Sequence, residues 1–136
     1  VVKSADTDTI NGRLPWKSKA DSLIVLNAEV LFETDRSTLL REHFATLNSI
    51  VDYLVLHPAR RVRISGHTDN TGSEQHNLTL SKKRADVVAE YLVNNGVAID
   101  RVETFGLGSA KPLEANTTDK GRKKNRRVEL LIHGEL

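Results

Sequence analysis

At 136 residues, 38% hydrophobic and 28% charged with a formal net charge of +2, the chain falls among single-core globular domains, which excludes a disordered polyelectrolyte. The absence of cysteine removes disulfide frameworks, thiolate metal sites and cysteine nucleophiles together. Aromatic residues at 4% leave few rings for stacking bases, and no apolar run approaches the roughly 20 residues that cross a membrane.

In chain order, residues 1–22 are polar, are broken by Gly12 and Pro15, and read as a tether or arm, with Trp16 expected to pack back onto the domain that occupies 23–136. The start at Val1 reads as that of a processed or trimmed chain, so an anchor or targeting signal is expected outside it. "LIVLNAEVLF" reads as a strand interrupted near Asn27. "DRSTLLREHFATLNSIVDYLVLHP" places Leu40, Phe44, Leu47, Val51 and Leu54 on one face, predicting a helix capped by Ser37 and stopped before Pro58. "RRVRISGHT" alternates Val62 and Ile64 with Arg61 and Arg63, a half-buried strand. A second helix is predicted from the Ser73 N-cap, with Glu74 in its first turn, to an Asn95-Gly96 stop. "DRVETFGLG" and "RRVELLIHG" read as two more strands, joined by a loop with one helical turn. The order β-α-β-α-β-β predicts an α/β (α+β sandwich) fold: a mixed four-stranded sheet with helices on one face.

Two charged residues stand out. Asp69 sits in the turn "GHTDNTG", where Asp and Asn ordinarily bond their own backbone. Arg84 shares a helical face with Leu80, Val87 and Tyr91, where a guanidinium needs either a snorkelling path or a partner. The two side chains either pair with each other or form a bipolar receptor, in which the carboxylate takes an ammonium and the guanidinium grips a carboxylate through two parallel bonds. The residue pattern leaves both open.

Other chemistry is thinly supplied. His67, Asp69 and His76 make a weak metal-ligand pattern, and there is no nucleophile elbow, phosphate-binding glycine loop or H-E-x-x-H. The run "KGRKKNRR", residues 120–127, suggests nucleic-acid or protein-partner binding, or else a solvated loop with Arg126 or Arg127 turned inward. Low net charge and scarce aromatics favour the loop.

"ISGHTDNTGSEQHNLTLSKKRADVVAEYL" resembles the signature of the OmpA-like C-terminal domain family, the peptidoglycan-associating module of outer-membrane proteins, lipoproteins and flagellar stator proteins. "VLFETDRSTL" before it and "GLGSAKPLEANTTDKGRKKNRRVEL" after it extend the resemblance over roughly residues 23–133. It implies non-covalent binding of the peptidoglycan stem peptide through meso-diaminopimelate, whose free end carries both an ammonium and a carboxylate. Asp69 would then hold the ammonium and Arg84 the carboxylate, assisted by the turn residues Thr68, Asn70, Thr71 and Gly72. Asp35, Asn77 and Arg126 fall on further pocket positions, while Glu33 departs from the family's usual residue. The resemblance also implies no catalysis, no cofactor, no metal and no nucleic acid. It implies a periplasmic location, attached to the outer or inner membrane of a Gram-negative bacterium through an anchor absent from this chain, and an envelope protein as a partner. A cell-wall hydrolase using Asp69 and His67 is the enzymatic alternative.

Overall fold

The alternation of Val62 and Ile64 with Arg61 and Arg63 builds β2 (Arg60–His67), with the aliphatic pair fully buried and the arginines exposed. The computed structural model describes residues 21–32, 37–41 and 44–135. The arm with Trp16, up to residue 20, the pocket position Asp35 and the departing Glu33 lie outside the described residues.

The elements are β1 (Ser22–Asn27), α1 (Ala28–Leu31), α2 (Phe44–Leu56), β2, α3 (Glu74–Asn94), a short 3-10 turn (Ile99–Arg101), β3 (Val102–Gly106), α4 (Asp119–Asn125) and β4 (Arg127–Gly134). The sheet runs β1-β4-β2-β3; β4 is antiparallel to both of its neighbours, and β2 pairs with β3 in parallel. The parallel pair requires a crossover, which α3 supplies. Ile24, Val62, Ile64, Val128, Leu130 and Ile132 from the sheet meet Leu47, Ile50 and Leu54 of α2 and Ala85, Val88 and Leu92 of α3 in a single core. The opposite face of the sheet carries no helix among the described residues, so the predicted mixed sheet with helices on one face is what forms.

The structure differs from the sequence reading in two places. The first long helix begins at Phe44 rather than beside Ser37, and Leu40 is not helical. Its backbone is already committed: Leu40 N–H donates to the Leu31 carbonyl at 2.7 Å, and Leu39 bridges to Phe32. The loop after β3 contains α4, two turns long instead of one, on the basic run itself.

The break predicted near Asn27 is the α1 turn, which begins at Ala28. Past the end of α2, the Arg101 guanidinium donates to the Leu54 and His57 carbonyls, each at 2.8 Å, and to Arg60 O at 2.9 Å. A cation thus satisfies the carbonyls that a helix C-terminus leaves unpaired.

Candidate functional site

The site is built where β2 ends. At Gly66 an added Cβ would lie 2.0 Å from Ser81 O, and at Gly106 it would lie 2.5 Å from Lys82 Cβ, so both glycines let α3 lie directly on the strands. So close an approach leaves no room for large apolar side chains. At the point of closest approach α3 presents the small Ser81, with Asn77 and Arg84 the other buried residues of its first half, and beyond it Ala85, Val88 and Leu92 enter the core. Ser81 Oγ accepts from Gly108 N–H at 3.0 Å and donates to Leu78 O at 3.0 Å, tying α3 to the turn that follows β3.

The turn after β2 is held by its own polar groups. Thr68 N–H donates to Gly108 O at 2.9 Å, and the Thr68 hydroxyl donates to Asp69 O at 2.7 Å. Asp69 Oδ1 accepts from Thr71 N–H at 2.8 Å, the self-bonded turn that Asp favours. Gly72 follows at φ 84°, a left-handed position suited to glycine, and Ser73 caps α3 by accepting from His76 N–H at 3.1 Å. Asn77 Nδ2 reaches back to Asp69 O at 3.4 Å.

Both charged residues face one cleft of about 500 Å³, together with Thr68, Thr71, Gly72, Asn77 and Arg126. That volume lies within the range of small-ligand sites. Asn70 is exposed and does not line the cleft. Asp69 is also engaged from a distant part of the chain: its Oδ2 accepts from Arg126 Nη1 at 2.5 Å. Burial alone would raise the Asp69 pKa, but the Thr71 amide and the Arg126 guanidinium outweigh it and hold the carboxyl below its ordinary value. Arg84, 6% exposed, sets its guanidinium carbon 5.1 Å from the centroid of the buried Phe32 ring. A cation over an aromatic face is one contact that suits an arginine on an apolar stripe.

His76, Leu80 and Arg122 also line the cleft, and sequence reasoning did not place them there. Arg122 and Arg126 are four residues apart, the spacing that brings two side chains to one helical face, but that segment reads as a loop. The helix is real because Thr118 caps it by accepting from Gly121 N–H at 2.9 Å and Asp119 opens it, while Arg122, Lys123 and Lys124 complete its last turn. Within the basic run Arg122 bonds Asp119 and Asn116 O, Lys124 holds Glu114 at 2.8 Å, and Arg127 holds Glu129 at 2.6 Å. Much of its charge is thereby spent inside the fold. Arg126 and Arg127 both turn inward, where one of the two was expected.

His67 does not join Asp69. It is buried on the opposite side of the sheet, with Nε2 3.1 Å from Ser65 Oγ and 3.7 Å from Glu129. No group of three or more His, Cys, Asp or Glu among the described residues could hold a metal ion.

Comparison with known proteins gives a consistent grouping. The OmpA family model matches residues 31–126. The chain is 46% identical over 109 residues to the peptidoglycan-binding protein ArfA of Mycobacterium tuberculosis, a match covering 80% of this chain and 33% of the relative. It is 39% identical over 127 residues to the probable lipoprotein YiaD of Escherichia coli, covering 92% of this chain and 58% of the relative. Among solved structures, the cell wall anchor of the T6SS from Pseudomonas aeruginosa superposes with a TM-score of 0.75 at 29% identity, over 85% of this chain and 82% of that one. The chain thus spans a third to somewhat over half the length of these two curated relatives.

Proposed function

The chain belongs to the OmpA family, and we propose that it binds peptidoglycan non-covalently through the meso-diaminopimelate of the stem peptide, anchoring an envelope protein to the cell wall. Relatives and a structural neighbour named as peptidoglycan-binding or wall-anchoring proteins support the wall as the target. The observation that carries the finer reading is that Asp69 and Arg84 open into one cleft, from different elements. The free end of diaminopimelate presents an ammonium and a carboxylate on one carbon. Asp69 takes the ammonium and Arg84 the carboxylate, while the turn from Thr68 to Gly72 offers backbone donors, Asn77 and Arg126 flank the ligand, and Asp35 completes the set.

No step of this needs catalysis, a metal or a cofactor. Binding strength comes from desolvating and pairing both charges at once. The wall repeats its ligand as a lattice, so a chain tethered to a membrane gains by avidity more than by single-site affinity. The compartment follows from the ligand: the domain works outside the cytoplasmic membrane, where the wall lies. A mycobacterial relative at 46% identity extends the choice of envelope beyond the Gram-negative type.

The test is titration of the protein with the diaminopimelate tripeptide and with the same tripeptide carrying lysine, which lacks the second carboxylate. Asp69→Asn and Arg84→Met, the latter keeping the apolar stem, each lower affinity by about 30-fold or more, as expected when one partner of a desolvated charge pair is removed. The lysine peptide loses a comparable factor. If both variants bind like the parent, the assignment of the pair is wrong.

A further inference from the structure

The face of the sheet turned away from the helices has a layout that peptide binding does not use. Across the paired strands, Leu23, Leu131 and Arg63 form one row and Val25, Glu129, Ser65 and Phe105 the next. A shallow cleft of about 370 Å³ lies over these rows, with Phe105 41% exposed at one side and Lys111 at the rim. Two of the three cations lining it are matched, Arg63 by Glu103 at 3.4 Å and Arg127 by Glu129 at 2.6 Å, and the Lys111 side chain stays exposed at the rim. An exposed ring beside aliphatic side chains, bordered by two ion pairs and one lysine donor, suits a ligand rich in hydroxyl and amide groups and with apolar C–H faces.

This cleft and the Asp69–Arg84 cleft are separate but are lined from the same two chain segments. His67 and Arg127, opposite each other on β2 and β4, line the open face, whereas Thr68, Asp69 and Arg126, the next residues along, line the peptide cleft. A layer of sheet is about 10 Å thick, and three extended residues reach about 10 Å. Diaminopimelate is the third residue of the stem, so an extended stem lets its sugar attachment point reach about one sheet thickness away.

We propose that this open-face cleft is a second subsite, which takes the amino-sugar backbone of the glycan strand while the stem peptide occupies the Asp69–Arg84 cleft. The inference rests on the diaminopimelate reading. A saccharide ring packs its C–H face on Phe105, its N-acetyl methyl against Leu131, and its hydroxyls on Ser65, Glu129 and Arg63. Once the lactyl carboxyl is amide-linked to the stem, the backbone is neutral, so covering this face leaves no ligand charge unpaired.

The experiment compares, by calorimetric titration, the diaminopimelate tripeptide with the disaccharide-tripeptide that contains it. The disaccharide-tripeptide is expected to bind roughly tenfold tighter, the gain from covering on the order of 60 Å² of apolar surface. Phe105→Ala removes that gain while tripeptide affinity stays within about twofold of the parent, and Phe105→Trp retains it. Equal affinity for the two ligands overturns the glycan subsite and leaves the diaminopimelate reading standing. Binding of neither ligand overturns both. A gain that survives Phe105→Ala in a protein of parental thermal stability overturns the assignment to this face.

Discussion

Asn125 offers the sharpest test of how the cleft wall is held. Its side chain is fully buried and uses its whole bonding capacity: Oδ1 accepts from the Leu113 and Glu114 amides at 2.7 and 3.0 Å, and Nδ2 donates to Glu114 O and Asn116 Oδ1, both at 2.8 Å. Asn125→Leu keeps the branched side-chain skeleton and removes every one of these bonds. At about 1 kcal/mol net apiece the gross loss is about 4 kcal/mol. The abandoned loop groups belong largely to exposed residues such as Leu113, 54% exposed, and regain water when the loop opens, so a net loss of about 2–4 kcal/mol is expected. Against an ordinary domain stability of about 5–15 kcal/mol this is a large fraction. Urea unfolding should show a lower midpoint at unchanged slope. Hydrogen exchange should show the Leu113 and Glu114 amides losing protection beyond what the global loss explains. Arg122, which donates to Asn116 O at 2.8 Å, would lose its anchor and the cleft one of its edges. A loss below about 0.5 kcal/mol, or retained protection at those two amides, would refute the reasoning, because such a value is typical of a surface position.

Gly66→Ala puts a Cβ 2.0 Å from a backbone oxygen of α3, and neither side has a flexible end to give way, so a loss of about 1–3 kcal/mol or more is expected with a weaker ligand site. Parental stability in thermal unfolding would mean that α3 does not approach β2 so closely. His67 is lowered to about 4 by burial first and then by Arg127, with Glu129 opposing and Lys111 adding, so the folded state prefers the neutral ring. Its contribution is intact above the unfolded pKa of about 6.5 and is lost as pH falls toward 4, giving about 1–2 kcal/mol of destabilisation by pH 5. Urea titrations at pH 7 and pH 5 read this loss, and in His67→Phe the slope should flatten. Asp69 has the same sign in a separate, lower window: its depressed carboxyl stabilises the fold above about pH 4, and that contribution is lost as pH falls through the lowered value.

What was legible in the sequence follows the range of each signal. β2 and α3 announced themselves because alternation, the Ser73 cap and the Asn95-Gly96 stop are local, and the structure places those features as read. The start of α2 was not legible. The residues before Phe44 carry a helical apolar spacing, yet Leu39 and Leu40 are held by Phe32 and Leu31, and a tertiary pairing overrides a local period. α4 was hidden for the converse reason. It has no apolar period at all, and caps, a buried asparagine and ion pairs hold it in place of an amphipathic face.

The same distinction explains the two arginines of the cleft. Arg84 was visible because a charge on an apolar stripe breaks a local rule, and the ring of Phe32 is one of the contacts that receive it. The contact between Arg126 and Asp69 spans 57 positions, and no periodicity carries it. It recasts the acid in the turn. Asp69 does not wait as an isolated carboxylate: the Thr71 amide fixes one oxygen and Arg126 fixes the other, so its orientation is set before any ligand arrives. Each carboxylate oxygen retains a second lone pair for an incoming ammonium. Such a site gives up little conformational entropy on binding, which is how a small cleft can hold a zwitterion against the competition of water.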